Sequence, residues 1–344
     1  MVTAKDVAEL AGVAQSTVSY VMSGSRSISP ETRARVEAAM RELNYHPNAN
    51  ARALAGCRAN VIGLVTRLPS DITIASTTSF IETITDVASA EDHDVVLVTS
   101  DEDPAAIERL VRRSIIDALV VMDIRLHDPR LRTIAELDVP AVLIGLPEDP
   151  AGLECVEVDA VKAGELAVQE LVEDGCHDIL LIGEMPAAES EYSYVHRFEA
   201  GARRAADAAD ARVEVVWSAV PGWDGHREVL ARVLAHRTAA AEAGRRTGVV
   251  GRTPQSVDGF CQLLMSAQVA LGEELPLVGL CTDSYAASLR TPITNVSPEP
   301  RDVSLLAMRK LFALLRDEEH ETSAAFVTPR LTRRETTGRR DPLG

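Results

Sequence analysis

Residues 13–24, VAQSTVSYVMSG, carry the pattern that decides the fold of the first part of the chain. Three apolar side chains follow the i, i+3, i+4 spacing of one helix face, and they are Val18, Val21 and Met22. With that face turned inward, the outward positions of the first turns are Gln15, Ser16 and Tyr20. Glutamine can pair with adenine in the major groove, and serine can donate or accept at several base edges. The stretch therefore favours a DNA-reading helix; the alternative is a three-helix bundle whose polar face is only solvated.

Two further short helices are predicted around this stretch. The first opens at Thr3, which has the capping-box pattern with Asp6, and it stops at Gly12. The third opens with Ser29 as its cap and Pro30 at its first position. The predicted inward-facing residues are Val7, Leu10 and Ala11 in the first helix and Val36, Met40 and Leu43 in the third. Three short helices with a tight glycine turn between the first two indicate a helix-turn-helix unit.

The charge of the chain is distributed so that an acidic protein can still approach DNA. The 344 residues have a formal net charge of −17, but residues 1–60 carry +2 and the remainder carries −19. Exposed charges farther than about 8 Å from the duplex are screened at physiological salt. Short polar side chains suited to phosphate oxygens are predicted at Thr3, Thr17, Ser19 and Asn48. The weakly basic first part is therefore the expected DNA-contacting part.

After residue 60 the pattern changes to apolar runs that alternate with helical stretches such as 76–92 and 103–114. The first series of runs is VIGLV, DVVLVT, ALVVMD and PAVLIG, and the second is CVEVD, DILLIG, VEVVW, TGVVG and LPLVGL. Continuous Val, Ile and Leu strands between helices predict parallel sheets covered on both faces. Two such series predict two doubly wound α/β lobes, with a ligand cleft outside the carboxyl ends of the strands.

Composition narrows the class of protein. The length suggests two or three domains, and 46% hydrophobic with 25% charged residues is typical of a soluble globular protein. The five cysteines are scattered without a CxxC pair, which disfavours a disulfide framework or a structural zinc site. Because no signal peptide or membrane span is recognised, a cytoplasmic location is expected. We predict no metal, no cofactor and no catalytic residues.

Within residues 3–56 the chain reads DVAELAGVAQSTVSYVMSGSRSISPETRARVEAAMRELNYHPNANARALAG. This stretch resembles, without a gap, the headpiece and hinge of the LacI/GalR family of bacterial transcription regulators. The resemblance implies that Gln15, Ser16 and Tyr20 occupy base-reading positions and that a homodimer binds a pseudo-palindromic operator. Tyr20 stands where the family often has arginine, so no guanine contact is expected from it.

The same resemblance covers the segment HPNANARALAG, residues 46–56, which is too short to be stable as an isolated helix. In the family, the similar segment becomes helical on the operator and packs against its dimer mate in the minor groove. By this resemblance the minor-groove residues are Ala51, Arg52 and Leu54. Leu54 would be an apolar wedge between base pairs; the alternative is a linker whose Leu54 only packs on the next domain.

The rest of the chain resembles, more weakly, the family's sensor, which has two lobes like periplasmic sugar-binding proteins and three crossovers between them. The likeness is carried by EVDAVKAGELAVQELVEDGCHDILLIGEM and PLVGLCTDSYAASLRTPITNVSPEPRDVSLLAMRKLFALL. The predicted domains are an all-α helix-turn-helix headpiece at 1–46, a hinge helix at 47–57 and an α/β periplasmic-binding-protein-like sensor at 58–338. The first lobe is expected at about 58–158 and 292–320, and the second at about 159–291 and 321–338.

The predicted effector cleft departs from the family pattern. Where the family usually has Gly-Tyr-Asp-Asp, this chain reads Gly279-Leu280-Cys281-Thr282, and the usual Asn-Asp pair is replaced near Arg252. The loop RLPSDITIASTTS lacks the aromatic residues that the family has there. An ordinary neutral sugar is therefore a doubtful effector. The candidate effector-binding residues are Arg197, Asp159, Trp223, Arg252 and Cys281.

Arg197 and Arg252 together would favour an anionic effector, because a guanidinium group suits carboxylate or phosphate. The alternatives are that Arg197 pairs with a neighbouring Glu and that Arg252 lies in solvent. The function expected overall is a DNA-binding transcription regulator, with repression favoured, that responds to a small-molecule effector. The other readings are a regulator that no longer senses a small molecule, a cytoplasmic small-molecule binding protein, and an enzyme on the same scaffold. The enzyme is disfavoured because no nucleophile elbow, phosphate loop or metal cluster is recognised.

Overall fold

The computed structural model describes residues 2–23, 26–45, 59–67, 74–99, 104–318 and 323–338 of the chain. Three helices form the first unit, and they are α1 (Ala4–Ala11), α2 (Gln15–Ser23) and α3 (Pro30–Glu42). Their shared core includes Val7, Val18, Val21 and Val36, all buried. The predicted helix-turn-helix unit is therefore confirmed.

The predicted ends of these helices are also confirmed. Thr3 caps α1 in a capping box, in which the Asp6 carboxylate accepts from the Thr3 N–H at 2.7 Å. Gly12 ends α1 in the left-handed region, with φ 64°, which a residue without a Cβ adopts without steric cost. Ser29 caps α3, and Pro30 is its first residue.

The predicted burial of Leu10 is wrong. Its side chain is 46% exposed, and Ala8 is buried on α1 together with Val7 and Ala11. At 100° per residue, Val7, Ala11 and Ala8 span one narrow face of the helix, and Leu10 falls beside it rather than within it. The i, i+3 spacing therefore predicted the helix correctly, but the buried face of the helix includes Ala8 instead of Leu10.

The larger part of the chain alternates strands and helices. Its first elements are β1 (Val61–Val65), α4 (Ile74–Ala90), β2 (Asp94–Val98), α5 (Ala105–Arg112), β3 (Ala118–Val121), α6 (Arg130–Glu136), β4 (Ala141–Ile144) and β5 (Glu154–Val158). The next are α7 (Ala160–Glu173), β6 (Asp178–Ile182), α8 (Ser193–Ala208), β7 (Arg212–Val216), α9 (Gly222–Glu242), β8 (Thr247–Gly251), α10 (Pro254–Ser266) and β9 (Leu277–Leu280). The last are α11 (Asp283–Ser288), β10 (Thr294–Ser297), α12 (Pro300–Leu315), β11 (Ala324–Val327) and β12 (Arg330–Thr332).

The strands form two sheets with the same winding. The first has the order β11-β5-β4-β3-β1-β2 and is entirely parallel. The second has the order β12-β10-β9-β8-β6-β7 and is parallel except for the edge strand β12. Helices cover both faces of each sheet and form separate apolar cores. The prediction of two doubly wound lobes is confirmed.

The predicted lobe boundaries need correction at two places. Residues 292–320 were assigned to the first lobe, but β10 pairs with β9 and β12 in the second sheet. Residues 321–338 were assigned to the second lobe, but β11 pairs with β5 in the first sheet. The chain leaves the second lobe only after β10 has completed its parallel pairing, so both crossovers come later than predicted.

The lobes are joined by three short connectors, at residues 158–160, 297–300 and 327–330. Adjacent connectors contact one another. The Asp159 N–H donates to the Val327 carbonyl at 2.8 Å, and Arg330 Nη2 lies 3.3 Å from Glu299 Oε1. The three crossings are therefore cross-linked on one side of the cleft.

Candidate functional site

The first candidate site is the polar side of α2. Gln15 and Ser16 are exposed at the start of the helix, opposite the buried Val18. Tyr20 is half-buried, and the guanidinium carbon of Arg26 lies 5.8 Å from the centre of its ring. The three predicted base-reading residues therefore share a face that the core of the unit leaves accessible.

The predicted phosphate contacts differ in their surroundings. Thr17 and Ser19 are half-buried on α2. The Thr3 hydroxyl donates to Asp6 at 2.8 Å, so its role in the structure is to cap α1. The remaining predicted DNA contacts lie outside the described residues, and they are Asn48, Ala51, Arg52 and Leu54.

The second candidate site is a cavity of about 590 Å³ between the two lobes. Residues at or just after the carboxyl ends of seven strands line it, namely Asp123, Gly145, Glu157, Glu184, Arg252, Cys281 and Pro298. Ligands of doubly wound folds bind at this edge of the sheet, and the volume is in the range of small-molecule sites. The cavity therefore lies where the strand pattern predicts a ligand cleft.

Much of the cavity wall is apolar. Five of the twelve Phe, Tyr and Trp residues of the chain line it, and they are Phe80, Tyr194, Phe198, Phe260 and Tyr285. Aliphatic side chains such as Ile124, Val158 and Val220 fill the spaces between them. The aromatic residues of the lining therefore come from elements other than the loop after β1.

Tyr194, Glu184 and Arg252 form a polar cluster on the second-lobe wall. The Tyr194 hydroxyl donates to Glu184 Oε1 at 2.6 Å. Desolvation in the cleft raises the pKa of Glu184 above its ordinary value, although the Arg252 charge and the Tyr194 hydrogen bond act against it. A carboxyl group in this position takes up a proton more readily than one in water.

Arg252 is buried in the wall of the cavity, with 3% of its surface exposed. Its Nη2 donates to the backbone carbonyl oxygens of Glu184 and Met185, the latter at 3.2 Å. Its Nε and Nη1 have no hydrogen-bond partner among the described residues. The alternative that Arg252 lies in solvent is therefore wrong, and two buried donors remain open.

Arg197 does not line the cavity but connects the two lobes. Its Nε lies 3.2 Å from Glu157 Oε2 on β5, and its guanidinium carbon lies 4.9 Å from the ring centre of Phe326 on β11. Burial raises the pKa of Glu157 to about 7 from 4.5, despite the opposing charge of Arg197. The alternative in which Arg197 pairs with a glutamate is the one that the structure shows.

The raised pKa of Glu157 gives a testable pH dependence. Between pH 4.5 and about 7 the folded protein keeps a proton on Glu157 that the unfolded chain has lost, so the free energy of unfolding should fall as pH rises through this window. The loss should reach about 3 kcal/mol relative to Glu157→Gln, which does not titrate. Chemical denaturation at a series of pH values measures it, with Glu136→Gln at an exposed position of α6 as the matched control. Parallel curves for the wild type and Glu157→Gln would contradict the prediction.

The other predicted effector residues have different positions. Asp159 caps α7, accepting from the Lys162 N–H at 3.0 Å, and does not line the cavity. Trp223 is 49% exposed beside His226 and also lies outside the lining. Cys281 does line the cavity, and burial raises the pKa of its thiol to about 12, so it is a neutral, unreactive thiol.

Sequence reasoning missed most of the polar residues of the cavity, including Glu157, Glu184, Ser193 and Tyr194. A signal for two of them was present. Glu157 lies inside the predicted run CVEVD, and Glu184 directly follows the predicted run DILLIG. A polar residue at the carboxyl end of a parallel strand is a site candidate by position alone.

The described part of the chain offers neither a metal-binding cluster nor a membrane-spanning helix. No group of three or more His, Cys, Asp or Glu side chains in it could hold a metal ion. None of its helices is both long and apolar enough to cross a bilayer.

Three family models match the chain. Residues 3–48 match bacterial regulatory proteins of the lacI family, and residues 59–236 match periplasmic binding proteins and the sugar binding domain of the LacI family. Residues 168–337 match a periplasmic binding protein-like domain. The matches therefore cover the three-helix unit and both lobes.

Curated relatives are transcriptional regulators. The HTH-type regulator MalR of Streptococcus pneumoniae is 36% identical over 53% of this chain and 57% of its own length. The chain thus spans little more than half of MalR. RegA of Clostridium saccharobutylicum is 27% identical over 97% of this chain and 98% of its own length, and catabolite control protein A of Staphylococcus epidermidis is 24% identical over 98% and 99%.

Solved structures share the fold. The Lac repressor dimer bound to operator and an anti-inducer has a TM-score of 0.77 at 21% identity, covering 98% of this chain and 99% of that one. The CelR–cellobiose complex has a TM-score of 0.67 at 23% identity, covering 98% and 100%. The family models match both the helical unit and the lobes, and the two solved structures have the same fold. The chain belongs to the LacI family of bacterial regulatory proteins.

Proposed function

We propose that this protein is a sequence-specific, DNA-binding transcription regulator of the cytoplasm, which represses as a homodimer on a pseudo-palindromic operator. The observation that carries the proposal is the capped three-helix unit with Gln15 and Ser16 exposed on α2, in the segment that matches the lacI-family model. A helix of this kind docks in the major groove through its first residues. The role is binding rather than catalysis.

A second part of the proposal concerns the hinge. Leu54 would enter the minor groove of the operator beside Ala51 and Arg52, as the resemblance implies. An apolar wedge of this type offsets the cost of unstacking by letting bent DNA contact more protein. The headpieces would thereby be held at a fixed spacing on the two half-sites.

The homodimer is supported by an exposed apolar edge on the first lobe. Val96 and Leu97 on the edge strand β2, and Ile115 nearby, are exposed. Apolar edge strands left uncovered are liable to associate. The Lac repressor of similar fold is a dimer on its operator.

The cavity between the lobes is proposed to bind a small-molecule effector. A ligand shifts the arrangement of the lobes only if it binds one arrangement more tightly than the other. Contacts that depend on that arrangement are present, since Arg67 Nη1 donates to the Tyr192 hydroxyl at 2.7 Å and the Leu126 N–H donates to the Glu191 carbonyl at 2.7 Å. Effector binding would change these contacts, and the headpiece spacing would change with them.

The experiment that tests the function is selection of bound fragments from random duplex DNA by the full-length protein. The expected result is a two-fold symmetric sequence bound by two chains, with the stoichiometry measured by sedimentation. A monomeric protein that retains no fragment above background would overturn the proposal.

Base reading by α2 gives a separate prediction. Gln15→Ala should relax the preference at one position of each half-site and cost about 1–3 kcal/mol of binding free energy on the selected operator. Ala14→Ser, at the exposed residue just before the helix, is the matched control. Affinities for the operator and for its single-base variants are measured at one fixed salt concentration. A uniform loss on all sequences would show that Gln15 contacts only the backbone.

A further inference from the structure

The cavity contains buried hydrogen-bond donors that the protein itself does not use. Arg252 leaves Nε and Nη1 without a partner among the described residues, and Ser193 leaves its hydroxyl without one. Ser193 is 2% exposed and Arg252 3% exposed, and both line the cavity. Buried polar groups without a partner are costly and rare in folded proteins. A ligand that brings an acceptor would satisfy them.

The carboxylates of the cavity already have partners. Asp123 accepts from the Thr66 hydroxyl and the Arg67 N–H, both at 2.8 Å. Glu184 accepts from Tyr194, and Glu157 is paired with Arg197. Five polar atoms of the lining have no hydrogen-bond partner among the described residues, and they are Arg252 Nε and Nη1, the Ser193 hydroxyl, His226 Nδ1 and Glu157 Oε2. Three of these five atoms are donors on Arg252 and Ser193, so at these two residues the lining suits a ligand that brings an acceptor.

Four helices begin at the cavity. The lining includes Ala160 of α7, Ser193 of α8, Pro254 of α10 and Pro300 of α12, each within the first turn of its helix. Helix N-termini carry a partial positive charge and stabilise anions. Arg252 is also the only described lining residue with a permanent positive charge. Arg252 and these helix starts favour an anion at this part of the wall, while Asp123, Glu157 and Glu184 place carboxyl groups elsewhere in the lining.

The rest of the cavity wall favours a ligand that is apolar apart from its anionic group. The lining includes Phe80 and the buried rings of Phe198 and Phe260, together with aliphatic residues such as Ile124, Val158 and Val220. A polyhydroxylated sugar would lose its hydration against this part of the surface, and its partners would have to be polar lining residues elsewhere, such as Thr77, Ser218 and Gln255. A planar or aliphatic body would instead be buried at a gain that grows with its apolar area.

We infer that the effector is an organic carboxylate with a predominantly apolar, ring-sized or larger body, whose carboxylate accepts hydrogen bonds from Arg252 and Ser193. That this carboxylate regulates DNA binding rests on the proposed function, whereas its binding to the cavity does not. The carboxylate would pair with Arg252, while the body would occupy the aromatic side of the cavity. Proton uptake by Glu184, whose pKa is raised by desolvation, would remove the nearest like charge.

The test is calorimetric titration of the full-length protein without DNA. The probes are phenylacetate, hydrocinnamate and phenylbutyrate, with phenethylamine as the cationic counterpart and maltose and cellobiose as neutral sugars. At least one carboxylate should bind about tenfold or more tightly than the amine and both sugars, because a hydrogen bond to a charged group contributes about 1.5–3 kcal/mol.

Three variants locate the binding. Ser193→Ala removes a hydroxyl that bonds to no described residue, so the fold should be retained while carboxylate affinity falls about two- to tenfold. Arg252→Lys keeps the charge but loses the guanidinium donors, and affinity should fall about tenfold or more. Arg227→Met, at an exposed position of α9, should leave affinity unchanged. Circular dichroism verifies the fold of each.

The inference is overturned if a sugar or the amine binds most tightly, if none of the three carboxylates binds at millimolar concentration, or if Ser193→Ala and Arg252→Lys both keep wild-type affinity. Because the titration contains no DNA, these outcomes leave the proposed operator binding untouched. Conversely, a protein that binds no operator could still bind a carboxylate.

Discussion

Replacing Arg130 with methionine should destabilise the first lobe by about 3–5 kcal/mol. Arg130 is buried at the start of α6 and forms two bonds to Asp128, Nε to Oδ1 at 2.9 Å and Nη2 to Oδ2 at 2.7 Å. Although burial raises the pKa of Asp128, the hydrogen bonds and charge of Arg130 bring it below the ordinary value of 3.8. Methionine would keep the volume but leave the Asp128 carboxylate buried without its cation.

The same substitution should also damage the cavity. Arg130 Nη2 donates to the carbonyl oxygens of Met122 at 3.2 Å and Asp123 at 3.0 Å. Met122 and Asp123 line the cavity directly after β3. We therefore expect Arg130 to be a positioning residue for the first-lobe wall, so ligand affinity should fall along with stability.

Hydrogen exchange of the β3 and β4 amides, followed with the full-length chain, measures the loss of first-lobe stability. Arg132→Met, at an exposed position of the same helix, is the control and should change stability by less than about 0.5 kcal/mol. The double variant Asp128→Asn with Arg130→Met should recover part of the loss, because the unpaired charge is then absent. Equal protection in Arg130→Met and the wild type would contradict this account.

The second large effect is expected from Gly201→Leu, which should destabilise the second lobe by about 3 kcal/mol. A Cβ at Gly201 of α8 would overlap the backbone carbonyl of Val161 on α7, and one at Gly164 of α7 would overlap the carbonyl of Phe198 on α8. The two helices therefore approach each other through reciprocal glycines. Backbone atoms cannot rotate away as a side chain can, so the helices must separate.

Tryptophan fluorescence reports this loss selectively. The chain has two tryptophans, Trp217 and Trp223, and both belong to the second lobe. Denaturant unfolding followed by their emission should shift to a lower midpoint in Gly201→Leu. Ala208→Leu, on the exposed side of the same helix, adds a larger side chain without the overlap and should leave the midpoint near that of the wild type. Equal shifts in the two variants would mean that the close approach is not the cause.

Patterns among residues that are close in the sequence predicted the helix ends and most strands. Thr3, Gly12 and Ser29 act through bonds to residues three or four positions away, so the sequence contains the whole interaction. The apolar runs from VIGLV to LPLVGL became β1 to β9. In interior strands such as β3 and β4 every residue is apolar because both faces of the strand are buried.

Of the remaining strands, β10 and β12 contain polar residues and cannot be predicted from apolarity, whereas β11 is the short apolar run Ala-Ala-Phe-Val. β10 reads Thr-Asn-Val-Ser, and its polar residues are buried because distant groups satisfy them. Thr294 shares a hydrogen bond with the Thr337 hydroxyl at 2.8 Å, and Asn295 Nδ2 donates to the Cys281 carbonyl at 2.7 Å. Such partners are close only in the folded chain, so the sequence pattern does not reveal β10, and the predicted lobe boundary at residue 292 falls before it.

The candidate cavity, too, has features that the sequence predicts and features that depend on distant residues. Its location follows from strand order, which the sequence pattern predicts. The burial of Arg252 and the pairing of Arg197 with Glu157 depend on side chains that meet across elements more than thirty residues apart. Arg197 and Arg252 look equivalent in the sequence as two arginines near a cleft, but Arg197 contacts Glu157 and does not line the cavity, whereas Arg252 does line it.

The cross-linked connectors between the lobes restrict how the molecule can move. Since the three short segments are bonded to one another on one side, we expect rotation about a line through the connectors to disturb fewer of these contacts than sliding or twisting of the lobes. Closure around a ligand near that line is a small displacement. At the far ends of the lobes the same rotation produces a larger displacement, because displacement grows with distance from the axis. A small closure of the cleft would therefore become a larger movement at the ends of the lobes.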